Sequence, residues 1–563
     1  MFDRRDFLQI AAATAVLSTG LGSQAGKAFA QNPFTQDDLL DFETKGQVTL
    51  LHITDIHAQI KPVYFREPSV NLGVGEAFGL PPHLVGDDLV KYFGLKAGSP
   101  EAYALTYTDF ERLAGNYGRV GGMDRVATLV KAIRAQRPNN TLLLDGGDTW
   151  HGSFTSLETL GGDMASIMDL LDTDAMASHW EFTLGQERVM ELVDQIKPKF
   201  LANNIRDTEW EEPVFDGTAY YEKGGVKVAV IGQAFPYCPV ANPRYMMADW
   251  SFGIREDAVA EAVQDARDNG AKVVVFLSHN GFDVDRKLVS RVDGIDVVLT
   301  GHTHDAIPKP LVVNNTLIVG SGSNGKFLSR LDLDVGPDGV KDFSYKLMPV
   351  FSDVITPDPE MSALIDSIRA PHEEMLSTVV GHTEDTLYRR GNFNGTFDDV
   401  ICDALLEQRD AEIALSPGFR WGPTLLPGQA ITWDDIYNET AMTYPAAYRL
   451  EMTGHFLKEV LEDVADNLFH PDPYFQQGGD MVRVGGMSYT INPDKEIGDR
   501  ISDIRTLKND KPLDPERTYV VAGWASVNEG TEGPAIWDVV ADHIKGRGTI
   551  KLSDVETVRV ERS

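Results

Sequence analysis

Val48-Thr49-Leu50-Leu51-His52-Ile53-Thr54-Asp55-Ile56-His57 is an apolar, β-branched run that ends in a carboxylate and an imidazole. Such a run reads as a buried strand. Period-2 geometry would put Asp55 and His57 on one face, because strand residues two apart point the same way. Three further stretches end alike: Leu142-Leu143-Leu144-Asp145-Gly146-Gly147-Asp148, Val273-Val274-Val275-Phe276-Leu277-Ser278-His279-Asn280 and Val297-Val298-Leu299-Thr300-Gly301-His302-Thr303-His304. Packing gives no reason for four strands to stop at metal-type ligands. The expectation is a hydrolytic centre built for two cations.

Two divalent cations held close together need a bridging carboxylate, several neutral imidazoles and an open position for hydroxide. The chain offers Asp55, His57, Asp148, His179, His279, His302 and His304. Imidazole with carboxylate suits Mn, Zn, Fe or Co rather than Ca. A lone histidine is usually structural, but the ordered set Asp-x-His, Gly-Gly-Asp, His-Asn, Gly-His-x-His is not a chance pattern. Gly381-His382-Thr383-Glu384 copies the start of the last motif without its second histidine and reads as a solvated turn. His83, His151 and His455 lack a paired neighbour and stay outside the metal set, although His151 is near enough to Asp148 to stand behind it.

The 563 residues suffice for two domains with separate cores. A formal charge of −34 argues against nucleic acid as partner, since phosphate neutralisation needs clustered Lys and Arg. Arg4-Arg5-Asp6-Phe7-Leu8, the apolar stretch Ile10 to Leu21 and Ala28-Phe29-Ala30 form a twin-arginine leader with an A-x-A cleavage site. Residues 1–30 are therefore expected to be a signal peptide, with a periplasmic mature chain starting near Gln31. No later stretch is long and apolar enough to insert in a membrane. The two cysteines, Cys238 and Cys402, are too few for a zinc-thiolate site and leave a disulfide open.

From Gly121 onward strands and helices alternate, with helices expected near Met164 to Leu171, Gln186 to Ile196 and Glu256 to Asp268. This is a layered α/β domain over residues 31–355 whose loops at the carboxyl ends of strands hold the site. An insertion of about 61–118 follows the first ligand pair and is expected to wall the active-site mouth. Ile355-Thr356-Pro357-Asp358-Pro359 marks a boundary, followed by a linker helix within 356–381 and a second domain over 382–563.

The order of motifs resembles the calcineurin-like metallophosphoesterase superfamily, and the two-domain layout resembles its 5'-nucleotidase branch. The resemblance implies a layered αββα metallophosphoesterase-like domain, a linker helix and an α+β 5'-nucleotidase-type substrate-binding domain. It implies Asp55, His57, Asp148 and His304 at one metal, and Asp148, His179, His279 and His302 at the other, with Asp148 bridging. Where that superfamily carries Gly-Asn-His-Glu, this chain reads Ala177-Ser178-His179-Trp180-Glu181-Phe182. Either His179 takes the Asn position and Trp180 that of the catalytic His, or Ser178 and His179 take them. The first register is preferred, because imidazole is the better ligand.

A phosphate-ester hydrolase expels an alkoxide and profits from a proton donor, whereas a thiolate leaves without one. The departure at Trp180, the leader, Gly147-Asp148-Thr149-Trp150-His151-Gly152-Ser153 and the insertion together resemble the SoxB family of periplasmic sulfur oxidation. That resemblance implies a thiosulfohydrolase with two Mn2+, other divalent transition metals being alternatives. A metal-bridging hydroxide would release sulfate from a cysteine S-thiosulfonate on the swinging C-terminal arm of a SoxYZ-type carrier. It assigns Asp148, Trp180 and Arg420 to catalysis, Arg420 lying in Ser416-Pro417-Gly418-Phe419-Arg420-Trp421-Gly422, the counterpart of the nucleotidase arginine loop. The stretch Asn467 through Asp480 is poorly suited to sandwich a base and better suited to a narrow channel. An exported 5'-nucleotidase or nucleotide phosphoesterase is the alternative, and a non-catalytic metal-dependent scaffold the third reading.

Overall fold

The computed structural model describes residues 34–553 and 555–562. The expected twin-arginine leader and its cleavage site lie outside the described residues. Two six-stranded sheets form the first domain. One runs in the order Gly339–Pro349, Phe327–Gly336, Val48–Ile53, Thr141–Asp145, Ala175–Met176, Lys199–Phe200. The other runs Leu311–Val313, Thr316–Gly320, Val297–Thr300, Val273–Ser278, Val226–Gln233, Thr218–Lys223. Their inner strands are parallel, with Leu50 beside Leu142 in one sheet and Val298 beside Phe276 in the other.

Alternation along these strands builds four layers. Leu50, Leu144, Val230, Val275 and Leu299 meet in one buried cluster between the sheets. Their neighbours Leu51 and Leu143 face the opposite way, against the helix Met123–Gln136. Val274, Phe276 and Val298 pack under Glu256–Asp268 and Phe282–Val289. Helices thus cover the outer face of each sheet, as burial on both faces of near-continuous apolar strands requires.

The second domain centres on a mixed sheet ordered Tyr448–Thr453, Thr518–Gly523, Ile413–Ser416, Arg483–Gly485. Thr396–Gln408 and Ile536–Arg547 cover one face, and Gly454–Phe469 the other. Cys238 and Cys402 are free and buried, one in each domain. No helix among the described residues is long and apolar enough to cross a membrane.

Three expectations need correction. The first strand ends at Ile53, so Asp55 and His57 lie beyond it and strand alternation does not align them. The expected linker helix is two helices, Pro359–Arg369 and Glu373–Leu376, and Val379–Thr383 is already a strand. Pro371, lacking an N–H, stands at the break, and Met361 and Ile365 pack into the first domain's core rather than bridging solvent. Gly381-His382-Thr383 is no turn, because that strand pairs on both sides, with Ala430–Thr432 and with Thr549–Ile550. The insertion is a folded helical layer of Gly86–Phe93, Pro100–Leu105 and Phe110–Tyr117, whose Tyr103 and Phe110 pack in the cluster that holds Phe351.

Candidate metal centre

Each candidate ligand arrives where a strand has just run out. Asp148 follows Thr141–Asp145, His179 follows Ala175–Met176, His279 directly follows Val273–Ser278, and His302 follows Val297–Thr300. Asp55, His57, Asp148, His302 and His304 have φ between +50° and +72°. Left-handed backbone costs a side-chain-bearing residue roughly 1–3 kcal/mol and tends to collect at functional sites; Asp and His tolerate it better than most. These reversals curl the chain so that side chains from separate strands converge.

Neighbouring groups hold the reversals in place. The amides of Asp55 and His57 donate to the carbonyls of Gly147 and Asp148, both at 2.8 Å. The buried Glu181 carboxylate accepts from the amides of Thr149 at 2.6 Å, Trp150 at 3.3 Å and His179 at 2.7 Å, tying two ligand loops together. Glu181 served the sequence reading only as a register mark. Its function as an anchor shows only when the loops meet.

The ligand atoms fall into two sets of four, Asp55, His57, Asp148, His304 and Asp148, His179, His279, His302, each within 4.8 Å and fully buried. Asp148 belongs to both. Its Oδ2 lies 3.2 Å from His179 Nδ1 and 3.1 Å from His279 Nε2, while its Oδ1 accepts the Trp180 amide at 2.8 Å. His57 Nε2 faces His304 Nε2 at 2.9 Å. The geometry brings His179 into the cluster; Ser178 Oγ is buried and has no hydrogen-bond partner among the described residues.

The electrostatics suit cations. Burial drives the His57 imidazole down to about 3 and holds His302 and His304 well below the usual range, which keeps them neutral for ligation. Burial also pushes His279 down, but the Asp148 and Asp55 carboxylates outweigh it and hold the group up at about 10. Burial raises Asp148, and His179 and His279 more than reverse that, leaving it well below the carboxylate range. Buried carboxylates facing imidazoles form a donor set for divalent ions. The residues present fit a pair of them.

A cavity of about 280 Å³ opens onto the cluster, with His57, Asp148 and His179 on one side and Phe419, Arg420 and Trp421 on the other. Trp180 forms part of its wall, with Phe419 and Trp421 edge-on at 5.1 Å each. Arg420 is half-buried; its guanidinium donates to the carbonyl oxygens of His302 and Gly479 and lies 3.5 Å from Asp480. None of residues 61–118 lines this cavity. Asn71, Leu72, Pro82 and His83 of the insertion line a neighbouring cavity with His302, Arg420 and Gly478, so the insertion borders the site from that side while its helices cover the second sheet.

His151, kept outside the metal set, stands behind Asp148, its Nε2 3.9 Å from Oδ1. Its Nε2 is 2.8 Å from His57 Nδ1, and its ring stacks on Trp180 at 5.0 Å. Nothing in the chain around it signals this, since its partner stands 94 residues earlier. His83 pairs with Asp283 at 2.7 Å and His455 with Glu459 at 3.3 Å, both outside the cluster.

The chain matches the calcineurin-like phosphoesterase family over residues 48–306 and the 5'-nucleotidase C-terminal domain family over residues 379–542. A sulfate thiohydrolase SoxB of Thermus thermophilus, solved in complex with glycerol, is 37% identical with a TM-score of 0.89, covering 92% of this chain and 98% of its own. A 5'-nucleotidase precursor, also of Thermus thermophilus, shares the fold at 20% identity and a TM-score of 0.72, over 91% of this chain and 99% of its own. The 5'-nucleotidase of Rattus norvegicus is 25% identical over 486 residues, 77% of this chain and 82% of its own. With the two buried ligand sets at its strand ends, the chain belongs to the metallophosphoesterase family that joins a calcineurin-like phosphoesterase domain to a 5'-nucleotidase C-terminal domain, the family that also holds SoxB.

Proposed function

We propose that this protein is an exported, periplasmic thiosulfohydrolase that uses the twin-arginine route. Its substrate is a cysteine S-thiosulfonate on the swinging arm of a SoxYZ-type carrier, and its product is sulfate. The observation that carries the reading is the cavity lining. The imidazoles that line it among the described residues, His57, His179, His302 and His304, are all candidate ligands. His151 lies behind Trp180, engaged with His57, and does not line it. No imidazole is left over to protonate a leaving alkoxide, and a leaving sulfur anion needs none.

Two divalent ions, Mn2+ first among the candidates, supply an acidified water and positive charge against the sulfonate oxygens when bound. The water oxygen joins the outer sulfur, the S–S bond breaks, and the carrier persulfide departs with the electron pair. Asp148, shared by both ligand sets, holds the geometry. Trp180, Phe419 and Trp421 offer aromatic surface to polarizable sulfur. Arg420 presents a planar fork suited to a sulfonate, its direction set by Asp480.

Nucleotide hydrolysis is the second reading, favoured by the similarity to rat 5'-nucleotidase. Against it, Phe419 and Trp421 stack on each other at 4.2 Å and 18°, which occupies one face of each ring. No aromatic residue of 467–480 lines the cavity. The deciding experiment offers the manganese-loaded protein a cysteine S-thiosulfonate on a Gly-rich peptide and, in parallel, a nucleoside monophosphate. Sulfate with negligible phosphate is the expected result; phosphate without sulfate overturns the proposal.

A further inference from the structure

His302 is held from both domains. Its amide donates to Asp55 Oδ1 at 3.0 Å within the first domain. Its ring Nε2 lies 3.0 Å from the carbonyl oxygen of Gln477, 175 residues later in the second. A carbonyl oxygen only accepts, so the ring proton sits on Nε2 and the Nδ1 lone pair stays free. Metal-binding imidazoles commonly give their other N–H to such an acceptor, which fixes both tautomer and ring orientation.

The Gln477 carbonyl is itself held firmly. Arg420 donates to the carbonyls of Gly479 and His302, bridging the two segments. Asp480 accepts from Asn392 at 3.1 Å and lies 3.1 Å from Arg483. Upstream, Lys287 meets Asp472 at 2.5 Å, and the Tyr474 hydroxyl donates to Glu256 at 2.5 Å, so the segment is fastened to the first domain as well. Gly478 passes so close to His302 that an added Cβ would stand 2.4 Å from Nε2.

We infer that the Gln477 carbonyl is a positioning group of the metal centre, so that the ion site of Asp148, His179, His279 and His302 is complete only with the second domain seated on the first. The inference rests on the cluster holding two ions, as the proposed function requires, and is independent of the substrate hydrolysed. The second domain then contributes to ion binding as well as to the cavity wall. Both ion sites take their side-chain ligands from the first domain, but of these His302 alone meets the Gln477 carbonyl among the described residues, so the site of Asp55, His57, Asp148 and His304 is not expected to respond to the 477–479 segment.

Adjacent glycines provide the test. Gly478 and Gly479 have φ of +74° and +76°, so alanine at either brings the same kind of backbone strain. Only at 478 does the new Cβ meet His302; at 479 the nearest atom is the Gly418 carbonyl oxygen at 3.9 Å. Equilibrium dialysis of the full chain against graded free Mn2+ reads ions bound per chain. Wild type and Gly479→Ala are expected to bind two ions alike. Gly478→Ala is expected to keep one and to bind the second about 10–100-fold more weakly.

Equal weakening in both variants, or no weakening in Gly478→Ala, overturns the inference while leaving two ions bound to wild type. Wild type that binds no ions defeats the dimetal reading itself, a separate failure. Long-range nitrogen–proton spectra of the zinc-loaded wild-type imidazoles, with His302 assigned by the signal that His302→Gln removes, need no folded glycine variant. A proton on Nε2 is the expected result, and a proton on Nδ1 overturns the inference.

Discussion

Gly-His-Thr occurs twice in this molecule, at 301–303 and at 381–383, and the two copies do different things. At 301–303 the strand has ended, φ of His302 is +72°, and the ring is buried among candidate ligands. At 381–383 the strand continues, its neighbours pair on both sides, and His382 is exposed. His302 enters the candidate cluster through the backbone reversal that follows an inner parallel strand. The tripeptide itself carries no such instruction.

The sharpest way to break this comparison is to remove the group that gives the first copy its partners. Asp148→Asn should release both ions and reduce hydrolysis to background, read by ion content and product release together. Retained activity with two ions bound would mean the shared carboxylate does not organise the cluster. Somewhat smaller is the effect of His302→Ala, expected to lose the ion of its own set and about a hundredfold or more in activity. The matching His382→Ala belongs at the bottom of the scale, with stability within about 0.5 kcal/mol of wild type in denaturant unfolding and activity unchanged.

Between these extremes lie the cavity residues that bind no ion. Trp180→His returns an imidazole to the cavity wall. Sulfate release should fall about tenfold or more while phosphate release from a nucleoside monophosphate rises above wild type; phosphate release that stays flat would leave the choice of leaving group unexplained by this position. Arg420→Lys keeps the charge and loses the fork, so KM for the thiosulfonate peptide should rise about tenfold with kcat little changed. An unchanged KM in steady-state kinetics would remove Arg420 from substrate contact.

The candidate ligands Asp55, His57, Asp148, His179, His279, His302 and His304, which the fold brings together, were legible because residue type and order carry them, whatever the path between. The layered α/β domain was legible too, since near-continuous apolar strands such as Val273–Ser278 need cover on both faces. Strand alternation misled at Asp55 and His57, where the chain leaves the sheet after Ile53. The insertion's position after Asp55 and His57 suggested a mouth; its Tyr103 and Phe110 are core, while its Asn71 and His83 line a cavity beside His302. The anchoring by Glu181 and the contact of His151 with His57 were missed for a common reason: each joins residues far apart in sequence, through atoms whose meeting no local pattern announces.

Residue chemistry alone determined that this chain would gather imidazoles and carboxylates for divalent ions, because only those side chains offer the required lone pairs. Three things were left to folding: which four ligands form each set, where His151 stands, and the reach of the Gln477 carbonyl to His302. The first two depend on how reversals at separate strand ends converge. The last involves a backbone oxygen that every residue possesses, and only its position in space, set by two domains packing together, gives it a partner.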